Sequence, residues 1–119
     1  MAHPTRFAQF TADAKSRVRE VSPAEASKQQ AEGAKLIDVR ESEEFSQSHA
    51  KGALHLSKGV LELRIEEAVP DPATPIICYC GGGARSALAA DNLQKMGYSN
   101  VASMAGGFKS WKMAGLPTS

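Results

Sequence analysis

The stretch Ile76-Ile77-Cys78-Tyr79-Cys80-Gly81-Gly82-Gly83-Ala84-Arg85-Ser86 changes character at one residue. Up to Tyr79 it is short, apolar and β-branched, and Pro75 opens it, which reads as a buried strand. Cys80 ends that strand, and three glycines follow. From Arg85 to Met96 a helix is expected, with Leu88, Ala89, Leu93 and Met96 on one face and Gly97 as its stop. A strand therefore delivers a cysteine into a glycine-rich turn that leads into a helix. Glycines let successive backbone N–H groups point inward, and such a concave run of amides forms a nest for an anion. The helix N-terminus adds unsatisfied N–H groups and partial positive charge. A free cysteine thiol, with a pKa of about 8.5, is only about 3% thiolate at neutral pH, so a reactive one needs such surroundings. Cys80 is the candidate nucleophile, and Gly81, Gly82, Gly83, Ala84, Arg85 and Ser86 are the candidate cradle.

Outward from this stretch the chain alternates. Ser22-Pro23-x-Glu25 reads as an N-cap, a first-turn proline and an early acid, opening a helix that runs to about Glu32 before Gly33. Lys35 to Val39 is a short buried strand. Ser42 is expected to cap a short acidic helix containing Glu43, Glu44 and Phe45. Ala53 to Leu56 suggests another strand, and Val60 to Ala68 a helix closed by Val69-Pro70-Asp71-Pro72. Asn100 to Ser103 reads as a last strand and Gly107 to Met113 as a last helix. Strands separated by helices imply an α/β, doubly wound, parallel sheet with right-handed crossovers and helices on both faces. Ligands bind such sheets at the carboxyl ends of the strands, where Cys80 stands. The segment 1–17 is read as an N-terminal helical extension to a domain spanning 18–119. Phe7, Phe10, Ala14 and Val18 give it one apolar stripe, which reads as a helix packed on the domain, a frayed arm, or a helix that docks a partner.

Composition excludes other classes. At 119 residues the chain is one domain, with 42% hydrophobic residues and enough core to fold unaided. Its 14 Lys and Arg balance 13 Asp and Glu, giving a net charge of +1 and no footprint for nucleic acid or an anionic membrane. No apolar run suggests a leader or a membrane span. Cys78 and Cys80 are the only cysteines, and a C-x-C pair closes no useful loop, so a disulfide scaffold is excluded. A reducing cytoplasm is the expected compartment. His3, His49 and His55 are scattered, which gives no metal-ligand spacing, and neither a metal nor an organic cofactor is expected. The glycines match neither a P-loop nor a dinucleotide fingerprint.

Four pieces resemble the rhodanese-like sulfurtransferase family over about Val18 to Pro117. They are Leu36-Ile37-Asp38-Val39-Arg40-Glu41 with Glu44-Phe45, His49 to Leu56, Tyr79 to Ser86, and Gly106-Gly107-Phe108 with Trp111, Gly115 and Pro117. The resemblance implies a doubly wound rhodanese-like domain with a five-stranded parallel core. It also implies double displacement through a persulfide on Cys80. A sulfane sulfur would pass from thiosulfate, a thiol persulfide or a protein sulfur carrier to cyanide or a thiol. Phosphatases of the same fold use a wider C-x5-R loop, whereas Cys80 to Arg85 is C-x4-R, sized for one sulfur atom. Phosphatase or arsenate reductase chemistry and a non-catalytic interaction module are the competing readings. The amides of residues 81 to 86 and Arg85 would hold the anion. Arg40, in the Asp38-x-Arg40 piece, either braces the fold or contacts substrate. His49 and Trp111 are structural positions. The uncharged middle of the loop, Gly81 to Ala84, suggests a shallow, open mouth with weak selection for dianions. Cys78 is read as a buried strand thiol or a resolving partner for Cys80, and Lys58 and Gly59 as possible lining of the mouth.

Overall fold

A computed structural model describes residues 5–119, so the first four residues of the 1–17 segment, His3 and Pro4 among them, lie outside the described residues. The elements are α1 (Thr5–Lys15), β1 (Arg19–Val21), α2 (Pro23–Ala31), β2 (Lys35–Asp38), α3 (Ser42–Gln47), β3 (Leu54–His55), α4 (Leu61–Ala68), β4 (Ile76–Tyr79), α5 (Ala84–Lys95), β5 (Val101–Met104) and α6 (Gly107–Met113). All pairings in the sheet are parallel, in the order β1-β5-β4-β2-β3. From β2 the chain winds outward to β3, returns to β4, and then winds the other way to β5. The reversal lies between β2 and β4, and a crevice at the carboxyl ends of the strands opens there.

The period of two along β4 divides the core. Ile76, Cys78 and Cys80 belong to one apolar cluster with Ile65 and Leu93, while Ile77 and Tyr79 belong to the other with Phe108 and Trp111. All four residues of β4 are buried, as expected of a central parallel strand. The edges are shorter. In β1 only Val21 is buried, and β3 is two residues long because it pairs with β2 alone. Ser22 caps α2, its side chain accepting from Glu25 N–H at 3.1 Å. The cap of α3 falls one residue earlier than expected. Glu41 is the N-cap, and Glu44 reaches back to accept from its N–H at 3.1 Å, a reciprocal arrangement that Ser42 alone would not make.

The N-terminal helix packs along α5. Its buried residues are Thr11 and Ala14, with Phe7 half-buried, while Phe10 is 61% exposed and so lies off the expected stripe. At about 100° per residue, positions 7, 11 and 14 fall within a narrow arc, and position 10 sits beside it. Arg17, just past the helix, bonds Asp91 of α5 at 2.8 Å and Asp13 at 2.9 Å, and Gln94 Nε2 donates to Arg17 O at 3.0 Å. With the sheet on one side and α1 on another, Ser86 to Asp91 of α5 are all buried. Among the described residues no helix is long and apolar enough to cross a membrane.

Candidate active site

Cys80 leaves β4 at the crevice, 1% exposed, on the floor of a cavity of about 280 Å3 lined by Phe7, Gly82, Ala84 and Arg85. Gly83 N–H donates to Cys80 Sγ at 3.1 Å and Ser86 N–H at 3.3 Å. Both bonds follow from the helix start. Gly83 is the N-cap of α5 with φ +103°, a left-handed backbone open to glycine, and it has no side chain to cap the first turn. Ser86 is the third helical residue, whose N–H lacks an intrahelical acceptor. The sulfur of Cys80 takes the place of a capping oxygen, accepting from the N-cap amide and from that of the third helical residue. Of the amides between 81 and 86, these two reach the sulfur.

Side chains complete the seat. The thiol meets Ser86 Oγ at 3.5 Å, and Ser86 Oγ lies 2.8 Å from Ser103 Oγ on β5. Both serines are fully buried. Because either hydroxyl can be the donor, the pair can accept from a thiol or turn to donate to a thiolate. From below, Phe108 N–H donates to Cys80 O at 2.7 Å and Lys109 N–H to Gly81 O at 3.3 Å, fixing the loop to the first turn of α6. Gly107 makes that approach possible. It sits at φ +58°, and a β-carbon there would collide with Cys80 O and the Gly81 carbonyl.

Arg85 makes its hydrogen bonds to a carboxylate and not to the sulfur. Its guanidinium takes both carboxylate oxygens of Glu44, at 2.9 and 3.1 Å. The bidentate pair holds the Glu44 carboxyl below the usual carboxylate range and raises Arg85 further. Arg40 is not in the cavity. It is buried, its Nη2 on Asp38 Oδ2 at 2.8 Å and on Ser48 O at 2.7 Å, with its guanidinium 4.4 Å from the Phe108 ring centroid. The Tyr79 hydroxyl completes this knot, donating to Asp38 at 2.6 Å and accepting from Ala50 N–H at 3.0 Å. With Nε and Nη2 engaged on Asp38 and a backbone carbonyl, Arg40 braces the sheet end and lies outside the described lining of the cavity above Cys80.

The remaining candidates fall outside the seat. Phe45 is stacked between His49 and His55, with centroids at 3.7 and 4.5 Å, and both rings bond backbone carbonyls, of Phe45 and Arg40. Trp111 is buried and donates to Pro117 O at 2.8 Å. Lys58 and Gly59 do not line the cavity. Cys78 is fully buried and its thiol is pushed up to about 12 by desolvation and, secondarily, by the neighbouring Cys80. Three contributors were not read from the sequence. Ser103 carried a signal, as the one polar residue inside an apolar strand. Glu44 was read only as part of the acidic helix and of the first family piece, since its contact with Arg85 spans 41 positions. Phe7 was seen only as part of a stripe, and it lines the cavity above Cys80.

Known proteins are similar to this chain in sequence and in fold. The sequence profile of the Rhodanese-like domain matches residues 22–114. The thiosulfate sulfurtransferase GlpE of Haemophilus influenzae is 41% identical over 99 residues, covering 83% of this chain and 92% of that protein. The GlpE protein of Pseudomonas entomophila is 36% identical over 97 residues, covering 82% and 87%. Among solved structures, the polysulfide-sulfur transferase homodimer of Wolinella succinogenes superposes with a TM-score of 0.82 at 31% identity, covering 96% of this chain and 87% of that one. A Rhodopseudomonas palustris protein of unknown function, described as a possible tyrosine phosphatase, gives 0.85 at 31% identity, covering 100% and 98%. The match of the profile across β2 to β5, the cysteine loop and α6, together with these relatives, establishes that the chain belongs to the rhodanese-like domain family.

Proposed function

We propose that this protein is a sulfurtransferase acting through a persulfide on Cys80. The observation that carries the reading is a sulfur held by two backbone N–H groups at the N-terminus of α5, at 3.1 and 3.3 Å. Those donors favour negative charge at that point, whether on the thiolate or on the outer sulfur of a persulfide. The thiolate attacks the sulfane sulfur of thiosulfate. The S–S bond breaks with its electron pair, sulfite leaves, and Cys80 keeps the transferred sulfur as a persulfide anion. Cyanide or a thiol then attacks the outer sulfur and restores the thiolate. The cycle consumes no external oxidant, and a reducing cytoplasm keeps the nucleophile free.

The donor class is narrower than the family's. Because Glu44 neutralises Arg85, thiosulfate meets no unpaired cation among the described residues that line the cavity, and its KM is expected to be high. Phosphate ester hydrolysis, suggested by the Rhodopseudomonas relative, is disfavoured because the C-x4-R loop is tight and its arginine is engaged elsewhere. The test is intact mass after incubation with thiosulfate, alongside thiocyanate formation and p-nitrophenyl phosphate hydrolysis. The expected result is a gain of about 32 Da and thiocyanate production, both abolished in Cys80→Ser. A Cys80→Ser protein that keeps either signal overturns the mechanism, and phosphate release without sulfur loading favours the phosphatase.

A further inference from the structure

The cavity above Cys80 has an aromatic wall from outside the matched domain. Phe7 belongs to α1, and the Rhodanese-like profile begins at residue 22. The helix is anchored where it can hold that ring in place. It runs in the same direction as α5, with Phe7 beside the cysteine loop and Arg17 on Asp91 two turns further along. Since α5 also carries the Gly83 and Ser86 amides, ring and sulfur are positioned by one helix.

The lining differs from what an inorganic dianion wants. Phe7, Gly82 and Ala84 offer no charge, and Arg85, the only charged residue lining it among the described residues, is engaged by Glu44. The space is also larger than a small anion needs. At about 280 Å3 it holds several times the roughly 30 Å3 share of a water molecule. We infer that Phe7 is a specificity-determining residue, selecting donors that carry the sulfane sulfur on an apolar organic body, R–S–SH, over thiosulfate. The inference rests on the sulfurtransferase reading. In the step, the Cys80 thiolate bonds to the terminal sulfur of R–S–SH. The bond from that sulfur to R–S breaks with its electron pair, R–S⁻ leaves, and the proton stays on the transferred sulfur. The apolar body R lies against the Phe7 ring while the reacting sulfur sits on the Gly83 and Ser86 amides.

The test measures the rate of the 32 Da gain on Cys80 with benzyl persulfide and with thiosulfate as separate probes, in the wild type, Phe7→Ala, Phe7→Leu and Phe10→Ala. Phe10 is on the same helix but exposed, so Phe10→Ala controls for loss of an aromatic from α1. Phe7→Ala is expected to lower the benzyl persulfide to thiosulfate rate ratio about tenfold, with Phe7→Leu intermediate and Phe10→Ala at the wild-type ratio. A Phe7→Ala ratio equal to that of the wild type, or a ratio that moves as far in Phe10→Ala, overturns the role of Phe7. A wild type that loads sulfur from neither donor overturns the sulfurtransferase reading itself, and the inference with it. Melting temperatures of all four proteins separate a lost wall from a lost fold.

Discussion

At the scale of single residues, the two cysteines do different work because of where they stop along one strand. Cys78 lies inside β4, and burial keeps its thiol protonated at neutral pH. Cys80 is two residues on, at the strand's end, where the N-terminus of α5 meets it. Cys78→Ala is therefore expected to gain the same 32 Da as the wild type and to lose about 1 kcal/mol of stability, read from intact mass and urea unfolding. Loss of sulfur loading in that variant would give Cys78 a chemical role. Glu44 is the residue that sets the charge of the mouth. Its carboxyl pKa is lower folded than unfolded, so the stabilisation from the Arg85 pair is complete above the ordinary carboxylate value and fades as pH falls through the folded one. The pair therefore stays intact across the neutral range and opens only in acid, below the ordinary carboxylate value. Glu44→Gln removes the negative charge at neutral pH and leaves Arg85 free. Thiosulfate loading should rise about three- to tenfold, measured at fixed ionic strength. An unchanged rate would mean that the pair does not govern donor charge.

Between elements, the decisive contact is that of the cysteine loop with α6. The loop carbonyls of Cys80 and Gly81 accept from Phe108 and Lys109, the first-turn N–H groups of that helix, and Gly107 is the point of closest approach. Gly107→Ala adds a carbon against backbone that has nowhere to move and forces an L side chain to φ +58°. It is expected to cost about 2 kcal/mol or more and to lower sulfur loading along with stability, seen as a shifted urea midpoint and a slowed mass gain. A fully stable, fully active alanine variant would show that the loop does not depend on α6. The same logic explains Arg40. Its place at the end of β2 suited either bracing or substrate contact, and Asp38, which also takes the Tyr79 hydroxyl across β2 and β4, engages it as a brace.

For the molecule as a whole, the question is what α1 adds to the sheet and its crossovers. It covers the outer side of α5, and its attachment is electrostatic at one end and apolar along the rest. The Asp91 carboxyl is held low by the Arg17 hydrogen bonds, so this attachment is present above the ordinary carboxylate range and is lost as pH falls through the lower folded value. Arg17→Ala should speed amide exchange of α1, over residues 5–15, while leaving the protection of β4 and β2 in place. Exchange that rises equally in the sheet would mean that α1 is part of the cooperative core. The arrangement ties the helix to function, because the residue it holds over the cavity is Phe7.

The sequence by itself determined the alternation of strands and helices, the exit of Cys80 into a glycine turn, and the helix start that follows. These are local properties, set by side-chain periodicity, caps and backbone freedom within a few residues of one another. Tertiary structure decided what lies across the gap. Ser103 reached Ser86 because β5 lies beside β4, and Glu44 reached Arg85 because α3 folds over the loop. Phe7 faced the cavity, and Phe10 did not, because α1 chose one rotation when it packed on α5. Such contacts join residues tens of positions apart, and their partners are selected by packing, which no short window of sequence contains.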